Sequence, residues 1–416
     1  MSRTEARRWL ILGLAAFALR AGAAVVTEYN PLFPAYYYND AVFVENMAWD
    51  MAQTWRSGAM YRSPYSTAQR AHAAALALPY AVVGRRPFVN KLINVLLGSA
   101  SVVLLGLAFR SLVSDEAAFA AAAFVAAWPS HVFYTSQNFK ESPTLLLAFG
   151  ALALLLPSLR AGAKPALSRV ASGAVLLALA GLLRSYVLLV LAACLAIGAA
   201  FACRQKEGRK AAAFALAAVL ASLALYRGAE FAVFRRLIAV PDGSPQVIAP
   251  LARPAVEQTG RVPAPWTPAG IGRRRAASQY SDRAYAVGMG REVGTQIEPD
   301  VRLETWLDLG LFLPRAAFQV LFMPLPGLYP MDGKLGRWLA AGENVVLVLL
   351  AAAALLGLTR TRLGPPSAAV LVFFLIMTAG SALLEFDLGS TSRHKLLYLP
   401  MLFPFAAEEL LRRKRA

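Results

Sequence analysis

Residues 9–45 read WLILGLAAFALRAGAAVVTEYNPLFPAYYYNDAVFVE. An apolar run from Trp9 to Val26, long enough to cross a bilayer, gives way to an aromatic stretch and then to an acid, Asp40. Arg3, Arg7 and Arg8 precede the run and give it the outline of a signal peptide. Its length, and the lack of a small-residue cleavage site before the aromatic stretch, favour a transmembrane anchor instead.

Further apolar runs follow near 91–112, 116–134, 142–158, 168–183, 186–203, 211–227, 340–358, 366–384 and 395–410. The expected fold is therefore an all-α polytopic membrane bundle of about 10 transmembrane helices. Composition agrees: of 416 residues 58% are hydrophobic and only 16% charged, and mean hydropathy is +0.51, more apolar surface than one soluble core can bury. The 42 Lys and Arg exceed the 24 Asp and Glu by 18 charges. Such a balance often marks a nucleic-acid binder, but here the basic residues punctuate apolar runs instead of covering a polar face. The bilayer, not nucleic acid, is the expected partner. Both termini are expected in the cytoplasm, because the segments this orientation places inside (the N-terminal tail and those near 110–116, 159–169, 204–210, 359–365 and 408–416) hold 17 cationic residues against six acids.

Three parts follow from this topology. Residues 1–227 form a seven-span module with a first outer loop at 27–90. Residues 228–339 form a large outer loop, and residues 340–416 a C-terminal three-span module. Within the first loop, 71–84 is too short to span and carries His72 and Pro79, which suits an interfacial helix. Segment 305–330 is apolar but broken by Pro314, Pro324, Pro326 and Pro330, which suits a surface-lying or re-entrant segment. The stretch 241–300, rich in Pro, Gly and Arg, is expected to be mostly irregular. Cys194 and Cys203 lie in one apolar run and match no metal spacing.

Four polar features fall on the outer side of this topology. In the first, Tyr36 to Asp40, a helix starting near Asn39 puts Asp40 in its first turn, where the helix dipole favours a carboxylate. Asn39 is then either an ordinary cap beside a solvated acid, or Asp40 is a general base with Tyr38, Asn39 and Glu45 in a substrate groove. The second runs from Pro129 to Ser142. Lys140 and Glu141 either snorkel to the interface or, with Gln137 and Asn138, mark a site, since ionisable groups at membrane depth are costly; His131 reads as a packed residue. In the third, Arg184 is a hairpin tip or reaches into a cavity, where its planar fork suits phosphate. In the fourth, Arg393, His394 and Lys395 follow Gly389 to Ser392 and form either a charged turn or a phosphate clamp. A carboxylate base with several cations is the equipment for transferring a group from a lipid phosphate donor. No metal spacing is present; no cofactor is required, and a divalent metal is left open.

The order of these features resembles the GT-C membrane glycosyltransferases, most nearly the family 39-like branch with protein O-mannosyltransferases and the bacterial aminoarabinose and RgtA-to-D-type transferases. Asp40-Ala41-Val42-Phe43 through Ala48 is similar to that branch's acid-bearing outer helix. Gly84, Arg85, Arg86, Asn90 and Asn94 resemble its entry to the second span, Pro129 through Glu141 its exit from the third, and Ser392-Arg393-His394 with Pro400 its late Arg-rich span. The resemblance covers residues 1–227 and, loosely, the last three spans. It implies an inverting transferase that uses a polyprenyl-phosphate-linked sugar. Asp40 would be the catalytic base, Glu141 a second acidic site residue, and Arg393 a donor-phosphate contact, with Lys395, His394, Arg184 and Lys140 as further cations for the phosphate or lipid carrier. Two departures stand out. Ala41 occupies the place where many members carry a second acid, leaving Glu45 as the nearest alternative, and no folded soluble C-terminal domain follows, so the acceptor is a glycan, lipid or protein.

Two other classes compete. An O-antigen-ligase or polysaccharide-polymerase type enzyme would take a pyrophosphate-linked donor and has no need of Asp40. A lipid or sugar transporter would show paired halves and mid-bilayer breaks, whereas these charges gather at one rim.

Overall fold

The computed structural model describes residues 2–30, 33, 38–62, 66–160, 162, 166–205, 208–231, 263–288, 295–299, 301–331, 335–361 and 363–415. Apart from one isolated antiparallel bridge, Gln296 to Asp387, the described residues form helices, turns and connecting segments. Two compact units divide the chain. The first comprises Met1–Gly243, Leu349–Phe373 and Pro400–Ala416; the second comprises Ser244–Val348 and Phe374–Leu399. The 340–416 stretch expected as one module is therefore shared between them. The reason is local packing: Gly198 leaves room for Ala369 and Pro365, and Arg360 bonds Glu409, all inside the first unit.

Seven of the expected spans appear among the described residues as helices long and apolar enough to cross a membrane. They are α1 (Arg3–Tyr29), α4 (Pro87–Phe109), α7 (Glu141–Leu155, extended by a 3-10 turn to Leu159), α9 (Ser185–Cys203), α10 (Gly208–Ala229), α13 (Leu335–Arg360) and α14 (Pro365–Leu384). The other three are irregular. The run at 116–134 is a bent pair, α5 (Asp115–Ala127) and α6 (Pro129–Thr135), meeting at 63°. Pro129 starts α6 and holds Trp128 extended (φ −67°, ψ 117°), as a residue before proline prefers. α8 (Leu167–Leu183) is shorter, at 17 residues. The last run breaks into α15 (Leu388–Tyr398), a 3-10 turn at Leu399–Leu402, and α16 (Phe403–Arg415), with Pro400 inside the turn and Pro404 opening the last helix.

The first outer loop holds α2 (Asn39–Arg56) and the expected interfacial helix, α3 (Thr67–Val83). α3 starts on a Ser66–Gln69 capping box and ends at Gly84, whose φ of +80° suits glycine. Val44, Met47, Ala48, Met51 and Ala52 pack on Ala73, Leu76, Ala77 and Tyr80, joining the two helices into a hairpin. Arg56 donates to the carbonyls of Tyr80 (2.9 Å) and Ala81 (2.9 Å), satisfying the end of α3.

At the opposite end of the first unit, residues expected in the cytoplasm bond to one another. Arg110 pairs with Glu5 (2.7 Å) and Asp115 (2.9 Å), Arg160 donates to the Arg110 carbonyl, and Glu408 accepts from Ser114 (2.6 Å).

In the second unit, the stretch expected to be irregular contains a helix, α11 (Pro268–Gly288); residues 241–262 of that stretch lie outside the described ones. The missed signal is Thr267-Pro268: the Thr267 hydroxyl accepts from the Gly270 amide (3.1 Å), and proline suits the first helical position. Segment 305–330 begins as α12 (Trp306–Phe322) on a Thr305–Asp308 capping box. Phe312, Ala316 and Val320 face a core with Leu303 and Ala382, while Leu307 and Leu311 are exposed.

Candidate active site

Each cluster of candidate residues lies within one unit. In the first, Tyr38 and not Asn39 occupies the N-cap of α2, without a side-chain bond, and its ring packs edge-on against Phe133 at 5.8 Å. Asn39, half-buried, is the first helical residue, and Asp40 stands exposed in the first turn. Its carboxylate is where the aligned peptide dipoles favour negative charge. Tyr36 and Tyr37 lie outside the described residues.

Glu45, further along α2, is bound into a polar chain. It accepts from Asn138 Nδ2 (3.3 Å), Asn94 Nδ2 donates in turn to Asn138 Oδ1 (3.3 Å), and Arg85 approaches Glu45 at 3.7 Å. Burial pushes the Glu45 carboxyl above the usual carboxylate range, and the Asn138 bond and the Arg85 charge offset only part of that. Beside it, Lys91 pairs with Glu28 at 2.6 Å. Expected groove residues Glu45 and Asn138 are thus brought into contact. Gln137, fully buried, donates instead to Thr27 Oγ1 (2.8 Å) and Ser136 Oγ (3.0 Å).

Glu141 opens α7 and Arg184 sits between α8 and α9, where the break between the helices lets its side chain turn inward. Arg184 Nη2 donates to Glu141 Oε1 at 2.5 Å, with side-chain exposures of 6% and 4%, and Nη1 donates to Tyr186 Oη at 2.6 Å. Of the two sequence readings of Arg184, the inward one holds, but its fork is occupied by a carboxylate. The charges of Glu141, Lys140 and Arg184 all bear on His72 of α3, whose pKa burial pushes down to about 4. Lys140 is half-buried, and its carbonyl accepts from the Thr144 hydroxyl (2.7 Å).

In the second unit, Arg393, His394 and Lys395 are successive residues of α15, so they point in different directions around the helix. Asp387 caps the helix by accepting from the Ser390 amide (2.9 Å), and burial raises its carboxyl above the usual range despite bonds from Thr295 and Ser390. Arg393 is half-buried. His394 Nδ1 bonds Glu385, which fixes the ring. Lys395 is only 3% exposed and donates to Asn344 Oδ1 (2.9 Å) and the Leu321 carbonyl (3.3 Å), so its ammonium closes an internal node rather than standing at a rim. Arg275 of α11 anchors this region: it donates to the carbonyls of Ile297 (2.6 Å) and Glu385, and burial lowers its pKa to about 10.

Sequence reasoning missed several of these groups. Arg20 is fully buried in α1 and bonds Thr135 and His131. Its signal was plain, since it is the single charge between Arg8 and Glu28. Glu28 with Lys91, and Arg275, gave no signal, because their partners are far away in sequence.

No protein-family model matches the sequence, and no curated protein does. In structure the chain is similar to an oligosaccharyltransferase from Archaeoglobus fulgidus in its apo form, at 12% identity and a TM-score of 0.54, over 97% of this chain and 51% of that one. The same enzyme tethered to an acceptor peptide containing the NVT sequon matches at 14% identity and a TM-score of 0.52, over 96% and 49%. ArnT from Cupriavidus metallidurans bound to undecaprenyl phosphate matches at 15% identity over 94% and 79%, with a TM-score of 0.34 that carries no argument. The chain spans about half the length of the oligosaccharyltransferase structures. At such identities the likeness is one of fold, which the chain shares with that oligosaccharyltransferase.

Proposed function

We propose that the chain is a glycosyltransferase that moves a sugar from a polyprenyl-phosphate-linked donor to a glycan, lipid or protein acceptor, with inversion at the anomeric carbon. One observation carries the reading: on a fold shared with a membrane oligosaccharyltransferase, an exposed acid, Asp40, opens the helix α2, whose Glu45 is bonded into the first unit. Asp40 takes the proton of the acceptor hydroxyl as its oxygen attacks the anomeric carbon. The bond from that carbon to the phosphate oxygen breaks, and its electron pair leaves on the lipid phosphate. Glu141 is the second acid, held as a fixed charge by Arg184 rather than as a mobile base. Asn138 and Glu45 contribute hydrogen-bonding groups to the sugar groove. Lys140 is assigned to the phosphate, and the buried Arg184 supports its neighbours in the first unit.

The chain crosses the cytoplasmic membrane about ten times in this reading, counting the bent α5–α6 pair, α8 and the broken α15–α16 run. α12 lies along the outer interface. Both termini are cytoplasmic and the acids face outward. The bonding of Glu5, Arg110, Asp115 and Arg160 at one end of the first unit supports that orientation.

Asp40→Asn tests the reading. It is expected to abolish sugar transfer with membrane insertion intact, and near-normal transfer would remove Asp40 as the base. Profiling lipid-linked glycans in cells lacking the chain should show a polyprenyl-monophosphate sugar accumulating. Accumulation of a pyrophosphate-linked oligosaccharide would replace this reading with the ligase or polymerase one.

A further inference from the structure

Arg20 lies inside the first span, with 0% of its surface exposed. A charge at such a depth ordinarily pairs with an acid or marks a functional site. Its bonds among the described residues go to neutral oxygens and one imidazole. Nη1 donates to the carbonyls of Ala16 (3.0 Å) and Ala126 (3.2 Å), Nε to Thr135 Oγ1 (2.8 Å), and Nη2 to His131 Nδ1 (2.8 Å).

Apart from the Ala16 carbonyl of α1 itself, each partner belongs to the bent span. In an unbroken helix the Ala126 carbonyl would accept from the amide of Ser130. The 63° bend at Trp128-Pro129 takes that donor away, and the guanidinium replaces it. His131 and Thr135 are four residues apart on α6 and so share the face that meets α1. A guanidinium can only donate, so His131 Nδ1 must be the acceptor, and the neutral imidazole carries its proton on Nε2. The Thr135 hydroxyl accepts from Arg20 and donates to the His131 carbonyl at 2.5 Å.

The tie continues toward the candidate site. The Thr135 carbonyl accepts from Ser142 Oγ (3.0 Å) at the start of α7, next to Glu141. A second tie from α1 runs from Thr27 Oγ1 to Gln137 Nε2 (2.8 Å). Between these clamps lies the segment carrying Gln137, Asn138, Lys140 and Glu141. Thr135 itself is wedged on α4, where a Cβ added at Gly98 would lie 2.6 Å from Thr135 Cβ.

We propose that Arg20 is a positioning residue for the transfer reaction: from within the membrane it rebuilds the hydrogen bonding lost at the broken span and so fixes the Gln137–Glu141 segment. The functional half of this rests on the glycosyltransferase reading above; the geometric half does not. Lysine at this position keeps the charge, but its compact ammonium cannot span four acceptors on three helices as a planar fork does.

Three variants test it, Arg20→Lys, Arg20→Met and Thr135→Val, the last removing the acceptor while nearly preserving shape. Each is purified in lipid nanodiscs and matched for folded fraction. Transfer is expected to show kcat reduced about 10- to 100-fold with donor KM little changed, as a misplacement of roughly 1 Å produces. A purely structural role would lower thermal stability and leave kcat per folded molecule at the wild-type value, and that result overturns the proposal. A spin label on Lys140→Cys, with Cys194 and Cys203 replaced by alanine, gives a readout independent of activity. The label should be immobile in the parent and mobile in Arg20→Lys or Thr135→Val; unchanged mobility also overturns it. Absence of any transfer by the wild-type chain, which retains Lys140, with the label responding as expected, would sink the glycosyltransferase reading and keep the geometric one.

Discussion

Removing Arg184 alone should damage the protein more than removing Arg184 and Glu141 together. Their contact is 2.5 Å long, and both side chains are about 95% buried, at exposures of 6% and 4%. Water therefore cannot take over when one partner goes. Arg184→Met leaves a carboxylate stranded in the interior, at a cost of about 3–5 kcal/mol for a broken buried pair. Arg184→Met with Glu141→Leu removes both charges, and replacing a buried pair by apolar groups is often close to neutral. The double variant should thus recover most of the loss, giving a coupling energy of roughly 3 kcal/mol, which is about a hundredfold in the folding equilibrium. The assay is a double-mutant cycle on unfolding in mixed micelles, by denaturant titration followed with tryptophan fluorescence. Additive losses, or an Arg184→Met variant as stable as wild type, would refute the idea that the two charges exist for one another. Transfer activity should not return with stability, because the double variant still lacks Glu141.

Two further outcomes follow from the geometry. Because burial holds the Glu45 carboxyl above its ordinary value, the folded state binds its proton more tightly than the unfolded chain. Stability from this group is then full below about pH 4.3, the ordinary glutamate value, and falls as pH rises through the raised one. Glu45→Gln should flatten that decline in melting temperatures taken from pH 4 to 8, and an unchanged slope would mean another group causes it. Gly98→Ala should destabilise by about 1–3 kcal/mol, because its methyl would sit 2.6 Å from Thr135 Cβ and force two helices apart; a melt at the wild-type temperature would show that the contact gives way freely.

The helices were legible because length and apolarity decide them: each expected span corresponds to a helix or to a helix pair broken at proline. The breaks themselves were written at Pro129 and Pro400, and were passed over because a run of apolar residues reads as continuous. α11 was hidden by its arginines, yet Arg275 is one of the most buried side chains and donates to carbonyls from two other segments. Partner choice was not legible, because Glu141 and Arg184 are 43 residues apart, Asn138 and Glu45 are 93 apart, and Arg20 and Thr135 are 115 apart. Sequence gave Arg184 to the phosphate because an arginine fork fits one; a fork already filled by a carboxylate at 2.5 Å is a different object.

Three candidate acids of the first unit, Asp40, Glu45 and Glu141, differ in what proton transfer demands of a base. A base must meet the acceptor hydroxyl and must change its protonation state without collapsing its surroundings. Glu141 fails the second condition, since protonating it would remove the charge that pairs with Arg184 in a site 7% exposed. Glu45 is bonded by Asn138 and faces Arg85, so its oxygens are occupied in holding α2 to the rest of the unit. Asp40 is exposed and stands in the first turn of α2. In the proposed reading the base is therefore assigned to Asp40 for its exposure in the first turn of α2, and near-normal transfer by Asp40→Asn would refute that assignment.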